Sequence, residues 1–128
     1  MNSRKKIVIF GALIVIIAVV FAVSNVKVPS RGSAKLSWNA NTELDLSGYK
    51  IYYGTTPRTG DCPDGGYAQN IKVGKVTSYT LDNLEPGKTY YFSVTSYNQA
   101  GKESCFSAQM SKNVPETWLD KAKKLMKM

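Results

Sequence analysis

Two cysteines, Cys62 and Cys105, are the strongest carriers of chemistry in a 128-residue chain that holds no histidine. Without an imidazole there is no Ser-His-Asp or Cys-His nucleophile system and no typical catalytic zinc site. Two thiols are too few for a Cys₄ metal centre, so no metal is expected. In an exported protein one cysteine pair reads as one disulfide, against two free thiols or an intermolecular bond. Here the outcome turns on the long segment around Cys62: the two sulfurs meet if it folds back across a sheet face and not if it projects away. Asp61 and Asp64, beside Gly65-Gly66, give two carboxylates where Ca²⁺ takes roughly six to eight oxygens, so they read as solvent-exposed. No phosphate loop, dinucleotide fingerprint or paired-carboxylate constellation is present. No cofactor is expected, and the chemistry points away from an enzyme.

Tyrosine is the second carrier, with eight copies. Their spacing requires strands. Tyr49, Ile51 and Tyr53 alternate, as do Tyr90, Phe92 and Val94, and this period of two defines one buried and one outward face. Ala34, Leu36 and Trp38 alternate too, as do Ile71 with Val73, Tyr79 with Leu81, and Phe106 with Ala108 and Met110. Turn signals at Asn39–Ser47, Gly54–Tyr67, Glu85-Pro86-Gly87 and Gln99-Ala100-Gly101 separate six short strands. Tyr52, Tyr91 and Tyr97 then fall on the outward face with Lys50. They form a candidate patch for a protein or glycan partner unless the Cys62 loop lies over them.

The elements outside this region are helical. Ile7 to Val23 holds 17 residues without a charge, behind Arg4-Lys5-Lys6. As a helix it would rise about 25 Å, near the lower limit for crossing a bilayer core of about 30 Å. Residues 1–26 are expected to be an uncleaved signal anchor with a cytoplasmic N-terminus, the alternative being a cleaved signal peptide and secretion. Residues 27–32 read as a linker. Residues 116–128 form a basic amphipathic tail, with Pro115 suited to a first turn. Trp118, Ala122, Leu125 and Met126 share one stripe; Lys121, Lys124 and Lys127 share another. Trp118, Leu125, Lys121 and Lys124 are its candidate membrane-interface residues, with a short solvent helix as the alternative. The net charge of +8 sits mostly in these flanks; residues 32–115 carry eight basic and seven acidic side chains. That distribution suits a membrane and argues against nucleic acid.

Several runs carry a family likeness. They are Leu36-Ser37-Trp38, the pattern Trp38-x-x-Asn41-x-Glu43-x-Asp45-Leu46-x-Gly48-Tyr49, the stretch Thr77–Leu84 followed by Glu85-Pro86-Gly87-Lys88-Thr89-Tyr90, and Asn98–Gly101 with Glu103-Ser104. With these, residues 33–115 resemble a fibronectin type III domain. The resemblance implies an all-β, immunoglobulin-like antiparallel β-sandwich, its first strand supplied by Val26–Pro29 or Arg31–Ser33. It implies a structural core of Trp38, Tyr49, Leu84 and Tyr90, with Trp38 central and the Tyr90 phenol bonded back to the backbone. The function expected is a non-catalytic, membrane-anchored, extracytoplasmic binding, adhesion or scaffolding module. The alternative is an accessory subunit of a larger envelope assembly. Exposed tyrosines would favour recognition and an exposed apolar tail would favour assembly.

Overall fold

The structure is a computed structural model and describes residues 31–128. Six strands follow in order: β1 (Gly32–Ser37), β2 (Leu46–Gly54), β3 (Gln69–Gly74), β4 (Ser78–Leu84), β5 (Thr89–Asn98) and β6 (Met110–Asn113), then helix α1 (Trp118–Met126). β1 and β4 make one sheet; the other has the order β3-β2-β5-β6, and every pairing is antiparallel. The expected all-β sandwich is observed. Among the described residues no helix is long and apolar enough to cross a membrane. The Ile7–Val23 run and the Val26–Pro29 alternative for a first strand lie outside the described residues.

Alternation builds the core as the sequence predicts. Ala34, Ile51, Leu81, Leu84, Tyr90, Phe92 and Val114 are buried between the sheets, with Leu36, Tyr53, Ile71, Val73, Tyr79 and Val94 packed around them. Tyr49 is buried beside this core. The corner forms as well: Glu85 N–H donates to the Tyr90 hydroxyl at 3.1 Å, so the phenol is bonded back to the backbone as the acceptor. Gly87, at φ +77°, turns the chain there, and its N–H donates to Val114 O at 2.6 Å.

Three expectations at the ends of the domain need correction. Trp38 is not central: it lies just past β1, half-buried, edge-on to Tyr49 at 5.5 Å, with its Nε1 buried and unpaired. The centre of the sandwich belongs to Ile51 and Phe92. Gly32 is already paired with Leu84, so the linker ends before it. α1 begins at Trp118, not Pro115: the Thr117 hydroxyl accepts from Asp120 N–H and the Asp120 carboxylate accepts from Thr117 N–H, a reciprocal capping box.

The last strand begins at Met110, and Phe106 does not face the core. The cause is the chain returning along β5. Ser96 is met by Ser104, Val94 by Ser107 and Phe92 by Met110. Each two-residue step along β5 is thus answered by three on the returning chain. Such bulging cancels alternation. Met110, expected inside, is 65% exposed.

Candidate functional site

The outer face of the four-stranded sheet is where the sequence places Lys50, Tyr52, Tyr91 and Tyr97. The β2–β5 register sets Lys50 opposite Thr95, Tyr52 opposite Ser93, Gly54 opposite Tyr91 and Gly48 opposite Tyr97. Tyr91 and Tyr97 are six residues apart on one strand, about 20 Å. Both are half-buried. Lys72 Nζ lies 5.0 Å from the centre of the Tyr97 ring. Tyr52, between them, is only 7% exposed. The three tyrosines therefore form no continuous exposed patch.

Two segments, residues 55–68 and 99–109, cover the middle of this face. The Cys62–Cys105 disulfide joins them, with the Cα atoms 4.1 Å apart. The long loop folds back across the sheet, which is the condition for that bridge. Phe106 N–H donates to Asp61 O at 2.8 Å. The Phe106 ring stands edge-on to Tyr52 at 5.0 Å and to Tyr67 at 5.4 Å, and the Arg58 guanidinium lies 5.4 Å from its centre. Asp61 and Asp64 stay exposed, Asp61 in a loose 3.6 Å pair with Arg58.

Beneath the loops the polar groups form chains whose direction can be worked out. Tyr67 has one hydroxyl proton and donates it to Gln109 Oε1 at 2.9 Å. The 2.7 Å contact between the Tyr67 and Ser93 hydroxyls must then use the Ser93 proton. Ser93 Oγ in turn accepts from Arg58 Nη1 at 3.1 Å. The same Arg58 nitrogen donates to Ser107 O at 2.6 Å.

Glu103 is the second hub. Its carboxylate accepts from Lys50 Nζ at 2.7 Å, Tyr52 OH at 2.7 Å and Thr95 Oγ1 at 2.6 Å. Burial pushes the Glu103 carboxyl up, but the three hydrogen bonds together outweigh it, and the group sits below its usual range. The hydrogen bond to Glu103 holds Lys50 above its ordinary value. Burial, then the bond to Glu103, pushes the Tyr52 phenol up. Sequence reasoning saw Glu103 only as part of a family run and missed Arg58, Tyr67 and Gln109. An acid near the end of a sheet whose outward face bears Lys50 and Tyr52 was the available signal.

This cluster is structural; the open surface lies beside it. A cleft of about 290 Å³ is lined by Glu43, Asp45, Tyr97, Lys102 and Ser104. Another of about 300 Å³ is lined by Trp38, Asn41, Tyr49, Ser96 and Ser104. The two share Ser96 and Ser104. Both offer amides, hydroxyls and aromatic rings, and the first adds the Glu43 and Asp45 carboxylates, a mixture that suits binding. Among the described residues no group of His, Cys, Asp or Glu is placed to hold a metal ion. On the tail, Trp118, Leu125, Lys121 and Lys124 are all exposed.

Known proteins agree with this architecture. A Kelch domain-containing protein of Saccharolobus solfataricus is 42% identical over 72 residues, 56% of this chain and 9% of that protein. The chain thus spans less than a tenth of that relative. The chicken CNTN1 FN1-FN3 domains share 27% identity at a TM-score of 0.54, covering 70% of this chain and 30% of that one. The third fibronectin III domain of human KIAA0343 protein shares the fold at 24% identity and a TM-score of 0.53, covering 66% and 72%. The fibronectin type III family profile matches residues 21–113. With the sandwich, the tyrosine corner and that match, the chain belongs to the fibronectin type III domain family.

Proposed function

We propose that the chain is a non-catalytic, membrane-anchored binding or scaffolding module whose domain faces away from the cytoplasm. The observation that carries this is membership of a family of binding modules across residues 21–113. The uncharged Ile7–Val23 run behind Arg4-Lys5-Lys6 supports the anchor. The Cys62–Cys105 bridge supports an oxidising compartment. With Tyr52 covered, recognition moves to the paired clefts at Ser96 and Ser104, whose Asp45, Asn41, Lys102 and Tyr97 suit a polar protein segment or a glycan.

Alkaline extraction of native membranes tests the anchor. The chain is expected to stay in the pellet, and protease added to intact cells is expected to digest the domain. Release into the wash or the medium would mean signal cleavage and secretion. A photo-crosslinker in place of Asp45 is expected to give a discrete adduct that one in place of Thr80, on the opposite sheet, does not. Matching patterns from the two positions would remove the clefts as the recognition surface. One observation favours the accessory-subunit reading instead: the tyrosine patch is covered while Trp118, Leu125 and Met126 are bare.

A further inference from the structure

The tail helix leaves the sandwich with an apolar face that nothing among the described residues buries. Trp118 is 74% exposed, Leu125 71% and Met126 78%, and α1 adds no residue to the core. At about 100° per residue, Leu125, Trp118, Ala122, Met126 and Leu119 occupy one sector of about 120°. Lys121 borders that sector on one side and Lys123 on the other; Lys124 and Lys127 lie behind. The single acid of the helix, Asp120, is engaged in the cap, accepting from Thr117 N–H at 3.1 Å and Thr117 Oγ1 at 2.6 Å. The lysines are thus left to face an outside anion.

A separate observation concerns where this helix starts. Gly32, the first residue of β1, lies so close to Val114 that a Cβ on it would collide with the valine side chain. Lys112 Nζ donates to Ser33 O at 2.9 Å. The chain therefore enters and leaves the sandwich at the same end. The apolar run stops at Val23, nine residues before Gly32, and α1 starts four residues after Val114. Fully extended, these connections reach at most about 30 Å and about 14 Å. If the run is in a bilayer, the helix is tethered within reach of its surface.

We propose that α1 docks in the headgroup layer of a bilayer bearing anionic lipids, with Trp118, Leu125 and Met126 toward the acyl chains and Lys121 and Lys123 on the phosphates. Lysines on both borders of the apolar sector favour lipid over a protein groove, because a bilayer offers phosphates along both sides of the helix at once. The proposal extends the membrane-anchored reading and rests on it for bringing the domain to a bilayer.

The test reconstitutes the full-length chain in phosphatidylcholine vesicles with and without phosphatidylglycerol, the acyl chains carrying bromine. Trp118 emission is isolated as the difference from a Trp118→Phe chain. Quenching is expected to be severalfold stronger with phosphatidylglycerol, to fall as salt rises, and to be lost in a Lys121→Glu/Lys123→Glu chain. Equal quenching in both compositions, or none, overturns the proposal. In native membranes a photo-crosslinker at Leu125 is expected to label lipid; a protein adduct in its place assigns the face to an assembly partner and also overturns it. Alkaline extraction reports the apolar run alone. A chain that resists extraction with Trp118 unquenched keeps the anchor and loses the docking helix. A chain that washes from phosphatidylcholine vesicles yet binds phosphatidylglycerol through Trp118 keeps the helix and loses the anchor.

Discussion

The inner face of the four-stranded sheet sets Ile51, Phe92 and Val94 against β1 and β4, whereas its outer face sets Lys50, Tyr52, Ser93 and Thr95 beneath two loops. Both are closed to solvent over much of their area, by different means. The inner face is held by apolar burial, which is non-directional and tolerates side chains of similar volume. The outer face is held by directed bonds converging on Glu103 and Ser93 and by one covalent link. Loss of one partner there strands the others. The same strands thus carry one layer governed by volume and one governed by protonation and redox state.

Phe92→Ala should be the largest single perturbation, costing about 3–5 kcal/mol in urea melts, because the ring fills the centre of the inner layer. An effect below about 1 kcal/mol would move the core elsewhere. Cys62→Ala with Cys105→Ala should come next, at about 3–4 kcal/mol for a link across 43 residues. Hydrogen exchange should then quicken at residues 58–67 and 104–107 and stay slow at Ile51 and Phe92. Uniform quickening would show that the layers are not separable.

Glu103→Gln should cost about 1.5–3 kcal/mol, since Lys50 would face a neutral amide. The pH dependence sharpens this. Glu103 is held below its usual range, so its contribution is complete above the ordinary carboxylate pKa and is lost as pH falls through the folded value. Lys50 and Tyr52 are raised, so theirs is complete below about pH 10 and lost as pH rises through the folded values. The Glu103→Gln chain should show shallower acid and alkaline limbs than the parent, and unchanged limbs would place the pH dependence elsewhere. Smaller again is Tyr90→Phe, at about 0.5–1.5 kcal/mol, because Glu85 N–H loses its acceptor at a partly wet corner. Tyr91→Phe should cost less than about 0.5 kcal/mol. A reversed order would mean that the corner bond does not hold the crossover.

The inner layer was legible because alternation states which side chains share a face, and Tyr49/Ile51/Tyr53 and Tyr90/Phe92/Val94 obey it without interruption. The corner was legible from Leu84-x-Pro86-Gly87-x-x-Tyr90. The outer layer was not, because alternation says nothing of what lies over the second face. Arg58, Tyr67 and Gln109 sit in segments without a period, and their partners are distant in sequence. Phe106 was misplaced for a definite reason: three residues against two along β5 turn it to the opposite side from the one that alternation assigns. Trp38 departs from the position that the family likeness implies: it packs at the margin of the core, with its indole N–H buried without a partner.

That three-for-two return has a consequence beyond facing. The returning chain is the outermost member of its sheet, on the side away from β3. A straight strand there would offer a ladder of amides and carbonyls onto which a neighbour could add its own strand. Here the returning chain steps out of register twice between Ser104 and Met110, and regular pairing survives only over the four residues of β6. No second copy could match that border over a useful length. Along that border, domains crowded on one surface can touch sideways without one adding a strand to the other.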